Sequence, residues 1–337
     1  MSRITVLGSG AWGTAIALSL AKQGRHAVTL WSHRAETAAA LKHDRENRRF
    51  LSGIPLPPSI RIATDDAVAV ADAEILVCVV PSEFLRATIS RIAPHMHVGQ
   101  IIVSATKGIE DHTFLRMTQV IDSCLAETGL SVPVGVLSGP SFAHEVALGM
   151  PTAVTIAFTE PAVASTVQQA FSSPSLRLYT SEDLVGVELG GALKNVIAIA
   201  AGVLAGLGLG LNSAAGLITR GIAEMTRLAV AAGGRRETLA GLSGVGDLVL
   251  TCTGSLSRNR SVGMELGRGR KLPEILSGLD GKVAEGVRTT RAALGLAHSL
   301  GVEMPITSQM ELILDEGKDP REAIRNLMQR PRRPEED

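Results

Sequence analysis

The apolar positions change rhythm near the middle of the chain. In the first half, short apolar runs alternate with longer stretches whose apolar residues recur at helical spacing. The runs Ile4–Leu7, Ala27–Trp31, Ile60–Ala63, Ile75–Val79, Ile101–Ser104 and Val134–Leu137 read as strands, and Ala153–Phe158 and Leu176–Tyr179 follow them. Several are continuously apolar, as a parallel strand covered on both faces must be. Between them, Thr14–Lys22, Ala35–Arg45, Glu83–Ile92 and Thr113–Thr128 carry the helical period. This alternation predicts a doubly wound parallel sheet. Thr64-Asp65-Asp66 reads as a helix cap with acids in the first turn, and the proline-rich 48–58 stretch reads as a surface loop.

After Asp183 the strand signals stop. Leu184–Leu204, Gly216–Ala231, Glu237–Leu242, Arg260–Leu266, Pro273–Leu279, Thr289–Leu300, Ser308–Leu314 and Pro320–Met328 all have helical periodicity. The expected organisation is a nucleotide-type α/β domain over 1–183, an all-helical domain over 184–329, and a disordered tail over 330–337, where apolar residues run out. Val196–Leu211 is apolar for about four turns but shorter than the ~20 residues of a membrane span, and it is rich in glycine, so it reads as buried helix and loop.

One stretch gives the α/β half its chemistry. Ile4-Thr5-Val6-Leu7 runs into Gly8-Ser9-Gly10-Ala11-Trp12-Gly13 and then into a helix. In this strand–turn–helix context Gly-x-Gly-x-x-Gly is a dinucleotide fingerprint, and the fold class becomes Rossmann-type. Gly8 permits the turn, Gly10 lets backbone N–H groups approach a pyrophosphate, and Gly13 lets the helix pack on the sheet. The second strand ends in Ser32-His33-Arg34 with no acid to bond a ribose 2′-hydroxyl. Arg34 suits a 2′-phosphate, so NADP(H) is expected as the preferred cofactor and NAD(H) as possible, with Glu36 the acid that could reach back.

Composition narrows the partners. The 337 residues are 45% hydrophobic with zero formal net charge, which allows a sizeable core and argues against a general nucleic-acid binder. Aromatics at 3% leave few platforms for stacking bases. Cys78, Cys124 and Cys252 are widely spaced and odd in number, as reduced thiols of a cytoplasmic protein would be. His144-Glu145 fails to complete HExxH because Leu148 stands at the last position. His95 and His97 lack partners at ligand spacing, so no metal is expected. Ser141 is outside G-x-S-x-G, which removes support for hydrolase chemistry.

Polar residues that break apolar patterns mark the candidate chemistry. Lys107 follows a strand, where the ligand crevice of a doubly wound sheet lies. Ser138-Gly139-Pro140-Ser141 follows another, with Ser141 placed like a helix cap. Lys194 and Asn195 are the polar pair in about five turns of apolar helix. Gly190 and Gly191 beside them cost roughly 1 kcal/mol each relative to alanine, which implies close approach of another segment. Burial disfavours a charged lysine, so Lys194 fits a general acid–base; a snorkelling lysine is the plain alternative. Asp247 lies in a glycine-flanked turn and reads locally as a helix N-cap. Ser257-Arg258-Asn259-Arg260 places guanidinium groups at a helix start, suited to a phosphate, although a solvated basic surface reads equally well.

Together GSGAWGTAIA, SATKGIE, LSGPSFA, VELGGALKNVIAIAAG, LITRGIAEM, GVGDLVLTCT, SRNRSVG and VAEGV resemble the bacterial NAD(P)-dependent glycerol-3-phosphate dehydrogenases, from about Arg3 to Met328. The resemblance implies a two-domain enzyme, a homodimer, that interconverts dihydroxyacetone phosphate and sn-glycerol 3-phosphate for glycerophospholipid synthesis. It implies Lys194 as catalytic proton donor and acceptor. It implies that Lys107, Gly139, Ser141, Lys194, Asp247, Ser257, Arg258 and Asn259 contact substrate. For the cofactor it implies Trp12, His33, Arg34, Lys107, Ala143, Arg258, Val283 and Glu285 beside Gly8, Gly10, Ala11 and Gly13. Ala11 stands where the family often has serine, which leaves a backbone contact only. Two other readings use the same fold: a reductase of another small acid, which would not require Arg258 and Asn259, and a non-catalytic NADP-binding sensor, which would not require Lys194 and Asp247.

Overall fold

The computed structural model describes residues 2–278, 284–332 and 334–335. In the first half the elements are β1 (Ser2–Leu7), α1 (Ala11–Ala21), β2 (His26–Trp31), α2 (Ala35–Asp44), β3 (Glu46–Asn47), β4 (Leu51–Pro55), β5 (Ile60–Ala63), α3 (Asp66–Val70), β6 (Ile75–Cys78) and α4 (Ser82–Ile92). Then come β7 (Ile101–Ser104), α5 (Met117–Glu127), β8 (Val134–Ser138), α6 (Ala143–Leu148), β9 (Thr152–Ala157), α7 (Pro161–Phe171) and β10 (Leu176–Ser181). Eight strands form one sheet in the order β10-β9-β8-β7-β6-β1-β2-β5. Strand residues alternate between two cores, one on each face. Ile4, Val6 and Val77 join the cluster that holds Ile16 and Leu18 of α1, whereas Leu7, Leu76 and Cys78 join the one that holds Leu85 and Ile89 of α4. Coverage on both faces is why β6 is apolar and buried at every position.

Three features depart from the pattern expected of the sequence. The sheet is mixed, because β8 and β9 pair antiparallel while the other pairs are parallel. The 48–58 stretch holds a strand: β3 and β4 form a small antiparallel ribbon whose Leu51 and Ile54 are buried. Helix α7 also occupies a stretch for which no helix was expected. The expected cap at Asp65 is present, its carboxylate accepting from Val68 N at 2.8 Å.

The second half is helical: α8 (Leu184–Gly206), α9 (Leu211–Ala231), α10 (Arg236–Leu239), α11 (Asp247–Thr253), α12 (Arg258–Gly267), α13 (Leu272–Ser277), α14 (Glu285–Ser299), α15 (Pro305–Asp315) and α16 (Pro320–Met328). Its axis is α8, buried continuously from Gly186 to Val203. By length and composition α8 could cross a membrane, but 89% of its most apolar window is buried inside the protein. Glycines let α12 lie directly on it. A Cβ on Gly202 would stand 2.0 Å from Arg260 O, and one on Gly263 would stand 1.9 Å from Ile199 O. In the terminal segment, Arg330 pairs with Glu303 and Arg220 donates to Glu335 O, while Arg333, Glu336 and Asp337 lie outside the described residues.

Candidate active site

The strand order reverses between β1 and β6, and doubly wound sheets bind ligands beyond the carboxyl ends of the strands at that point. A cavity of about 850 Å³ opens there. It lies toward the upper end of the ~300–1,000 Å³ typical of ligand clefts. One wall is the glycine turn. Gly8 has φ 127°, and a Cβ there would meet the Val79 backbone at 3.1 Å. A Cβ on Gly13 would stand 1.9 Å from Gly8 O, so the turn closes on the helix only without side chains. Gly10, by contrast, has nothing within 4 Å of its Cβ position. Helix α1 begins there with no side-chain cap and no acid in its first turn. The buried indole N–H of Trp12 has no protein acceptor. An uncapped helix N-terminus behind an open glycine fits a pyrophosphate, and the residues present therefore fit a dinucleotide.

The facing wall comes from α8, α11, α12 and α14. Gly190 and Gly191 explain how close the segments lie: a Cβ on the first would stand 2.5 Å from Ser243 O, and on the second 2.5 Å from Ser138 Oγ. These approaches bring α8 against both the end of β8 and the π-helical turn Leu242–Gly246 that precedes α11. Lys194, one turn along, then meets Asp247. Both lysines donate to that one carboxylate: Lys194 Nζ to Oδ1, and Lys107 Nζ to Oδ2 at 2.8 Å. The Asp247 side chain is 1% exposed. It is therefore not an N-cap; it opens α11 and spends its oxygens on the lysines.

Burial pulls the Lys194 ammonium down to about 7, with Lys107 adding to the fall and Asp247 opposing it. For Lys107 burial also works downward, but the charge and hydrogen bond of Asp247 outweigh it, and its ammonium is held above its ordinary value. Burial raises the Glu285 carboxyl, against the pull of Arg258, Lys107 and Lys194. A raised carboxyl and a single paired carboxylate beside two lysines and Arg258 leave the pocket positive, suited to an anion.

The start of α12 supplies the rest. Ser257 is its N-cap, accepting from Arg260 N at 3.2 Å, and no acid stands in its first turn. Asn259 Oδ1 accepts from Gly286 N at 3.0 Å, which commits its oxygen and leaves its N–H₂ as donor. Asn195 donates to Glu285 at 3.5 Å. Among the described residues no group of His, Cys, Asp and Glu could hold a metal ion.

Gly8, Gly10, Ala11, Trp12, His33, Arg34, Lys107, Ser141, Ala143, Lys194, Ser257, Arg258, Asn259 and Glu285 all line this cavity. Gly13, Gly139 and Asp247 do not: Gly13 packs on Gly8, Gly139 turns the chain at φ 141° against Val154, and Asp247 lies behind the lysines. Ser141 does not cap a helix either, because α6 starts from Phe142 and the Ser141 hydroxyl donates to Gly139 O at 2.9 Å. Val283 lies outside the described residues.

Other lining residues escaped the sequence reading: Arg49 and Phe50 before β4, and Phe84, Ala87, Thr88 and Arg91 of α4. The last four fall at i, i+3, i+4 and i+7, a second stripe beside the buried Leu85, Ile89 and Ile92. A helix that follows a strand and carries two stripes was the available signal.

Comparison with known proteins shows the family. The model of the NAD-dependent glycerol-3-phosphate dehydrogenase N-terminus matches residues 3–164, and that of the C-terminus matches 183–325. A glycerol-3-phosphate dehydrogenase [NAD(P)+] of Acidobacterium capsulatum is 61% identical over 99% of this chain and 100% of its own length. One from Koribacter versatilis is 54% identical over 98% of each. The crystal structure of the glycerol-3-phosphate dehydrogenase of Coxiella burnetii superposes with a TM-score of 0.93 at 38% identity, covering 98% of this chain and 99% of that one.

Proposed function

This chain belongs to the NAD-dependent glycerol-3-phosphate dehydrogenase family, and from that premise we propose that it reduces dihydroxyacetone phosphate to sn-glycerol 3-phosphate, reversibly, for glycerophospholipid synthesis. The observation that carries the reading is the junction of two binding features at one acid–base group. Lys194, with its proton affinity brought near neutrality, lines the same cavity as the glycine turn and the phosphate-suited start of α12.

The reduced nicotinamide, when bound, supplies the hydride. The rest is done by side chains of this chain. Lys194 gives its proton to the ketone oxygen as negative charge develops there, and takes it back in the oxidative direction. A proton affinity near pH 7 suits both directions. Asp247 holds Lys194 and Lys107 on one carboxylate and so fixes their positions. Lys107, which stays charged, stabilises developing negative charge without giving up its own proton. Ser257, Arg258 and Asn259 hold the substrate phosphate at the N-terminus of α12, so binding energy from the non-reacting end orients the reacting end.

For the cofactor, no acid stands between β2 and α2, and His33 and Arg34 line the cavity, which supports a preference for NADP(H) over NAD(H). The family resemblance supports a homodimer, for which light scattering is the test. It also supports a cytoplasmic location, in keeping with three buried, unpaired cysteines.

The deciding experiment mixes the purified protein with dihydroxyacetone phosphate and either NADPH or NADH and follows reduced-nicotinamide absorbance. Turnover with the phosphorylated ketone and little with dihydroxyacetone is the expected result. No turnover with either cofactor refutes the proposal.

A further inference from the structure

The motifs of the sequence place His33 and Arg34 at the adenosine end of the cleft and say nothing of helix α4. We propose that Arg91, on α4, reads the 2′ position of the cofactor's adenosine ribose and favours the 2′-phosphorylated dinucleotide, a proposal that rests on the dinucleotide reading of the same cavity.

The geometry points to Arg91 because its guanidinium is held in place at the end of β2. Its Nε pairs with Asp66 Oδ2 at 2.5 Å. Its Cζ lies 5.2 Å from the Trp31 ring centroid, and Trp31 in turn donates its indole N–H to Asp66 Oδ1 at 3.0 Å. Asp66 therefore fixes both the cation and the ring against which it lies. Arg91 Nη1 stands 3.0 Å from His33 Nδ1. Arginine can only donate, so Nδ1 of His33 is the acceptor and its proton sits on Nε2. Both side chains line the cavity. The result is a fixed set of N–H donors, the remaining guanidinium hydrogens and the His33 Nε2–H, at the place where a dinucleotide carries its adenosine ribose.

Arg34 differs in kind. Its side chain is exposed, and among the described residues no side-chain hydrogen bond or ion pair holds it. A mobile cation must give up rotamer freedom to bind a phosphate, whereas a guanidinium already held by a carboxylate and a ring gives up little. The same arrangement carries a second consequence. Asp66 is an acid beside the ribose site whose charge is offset by Arg91. Without that cation, Asp66 would repel a 2′-phosphate and tolerate a 2′-hydroxyl.

The test is equilibrium binding without substrate. Titrate NADPH and NADH separately into the full chain and follow quenching of tryptophan fluorescence, since Trp12 and Trp31 both line the cavity. Arg91→Gln keeps a shorter polar side chain and removes the charge. Its NADPH dissociation constant is expected to rise about tenfold or more, on the scale of one lost charge-assisted bond, and that for NADH less than threefold. The NADH-to-NADPH ratio of dissociation constants should then fall at least about threefold; a smaller fall, including equal weakening of both cofactors, overturns the proposal. Asp66→Asn keeps the cation but loosens its anchor, so it should lower that ratio less than Arg91→Gln does. A fall like that of Arg91→Gln would show that the cluster serves packing alone. A wild-type chain that binds neither nucleotide would instead refute the dinucleotide reading itself.

Discussion

The contact between α8 and α12 makes a sharp quantitative prediction. Replace Gly263 by alanine. The new methyl would stand 1.9 Å from Ile199 O, 2.8 Å from Ile199 C and 2.9 Å from Val203 N, all backbone atoms of a buried helix. No rotamer change can relieve a clash with backbone, so α12 must retreat by about 1.1–1.5 Å to restore ordinary contact distances. Gly263 lies in the middle of α12, and the start of the same helix carries Arg258 and Asn259. The groups proposed to hold the phosphate therefore move with it relative to Lys194, which is fixed by Asp247. A misplacement of ~1 Å in reacting geometry can cost about a hundredfold in rate. Overpacking itself costs about 1–3 kcal/mol in stability. The expected outcome is a folded but less stable enzyme whose kcat/KM for dihydroxyacetone phosphate falls by one to two orders of magnitude, with NADPH affinity little changed. Gly216→Ala is the matched control, since Gly216 sits in α9 with nothing within 4 Å of its Cβ position. It should gain roughly 0.5–1 kcal/mol from helix propensity and keep full activity. Steady-state kinetics, fluorescence titration and thermal melts measure all three quantities. A Gly263→Ala enzyme with kcat/KM within twofold of wild type would refute the argument that backbone contact sets the position of Arg258.

Four further outcomes follow from the site. Lys194→Ala should lower turnover by about 10²–10⁴-fold while NADPH still binds, and near-normal turnover would remove Lys194 as the acid–base. In the reductive direction Lys194 must be protonated, so kcat/KM should fall about tenfold per pH unit above a midpoint of about 7, and the oxidative direction should rise through the same midpoint. Asp247 holds the Lys194 proton on, so Asp247→Asn should move that midpoint down, and an upward move would contradict the assigned charge interaction. Arg34→Asp should shift preference toward NADH; an unchanged NADPH-to-NADH ratio of kcat/KM would take Arg34 out of cofactor choice.

Most of the sheet was legible because its cause is local. A strand covered on both faces must be apolar at successive positions, and Ile75–Cys78 or Ile101–Ser104 reads the same in any context. For that same reason the direction of β9 was not legible. Thr152–Ala157 is buried toward its end whether it runs with β8 or against it, and only the pairing of Val136 with Ala157 and Ser138 with Thr155 fixes the antiparallel sense. The β3–β4 ribbon was hidden by its prolines and by its irregular burial: Leu51 and Ile54 stand three residues apart with Gly53 at φ 82° between them, so no period-two alternation shows.

The site divides along the same line. Lys194 and Asn195 were visible because they interrupt an apolar helix, and Gly190 and Gly191 because glycine is costly there. In each case a local anomaly recorded a distant contact, now identified as Ser243 O, Ser138 Oγ and Asp247. Asp247 carried the opposite kind of signal. An acid after glycines satisfies the local rule for a helix cap so well that nothing asks for a further explanation. Its actual partners, Lys107 and Lys194, lie on a strand-following loop and on a helix far away in sequence. Arg91 was silent for the same reason, since an arginine near the end of a surface helix needs no explanation until Asp66, Trp31 and His33 are seen around it. The residues that sequence exposes are those that cost something where they stand. Those that conform to a local rule while serving a distant one become visible only when the fold brings their partners together.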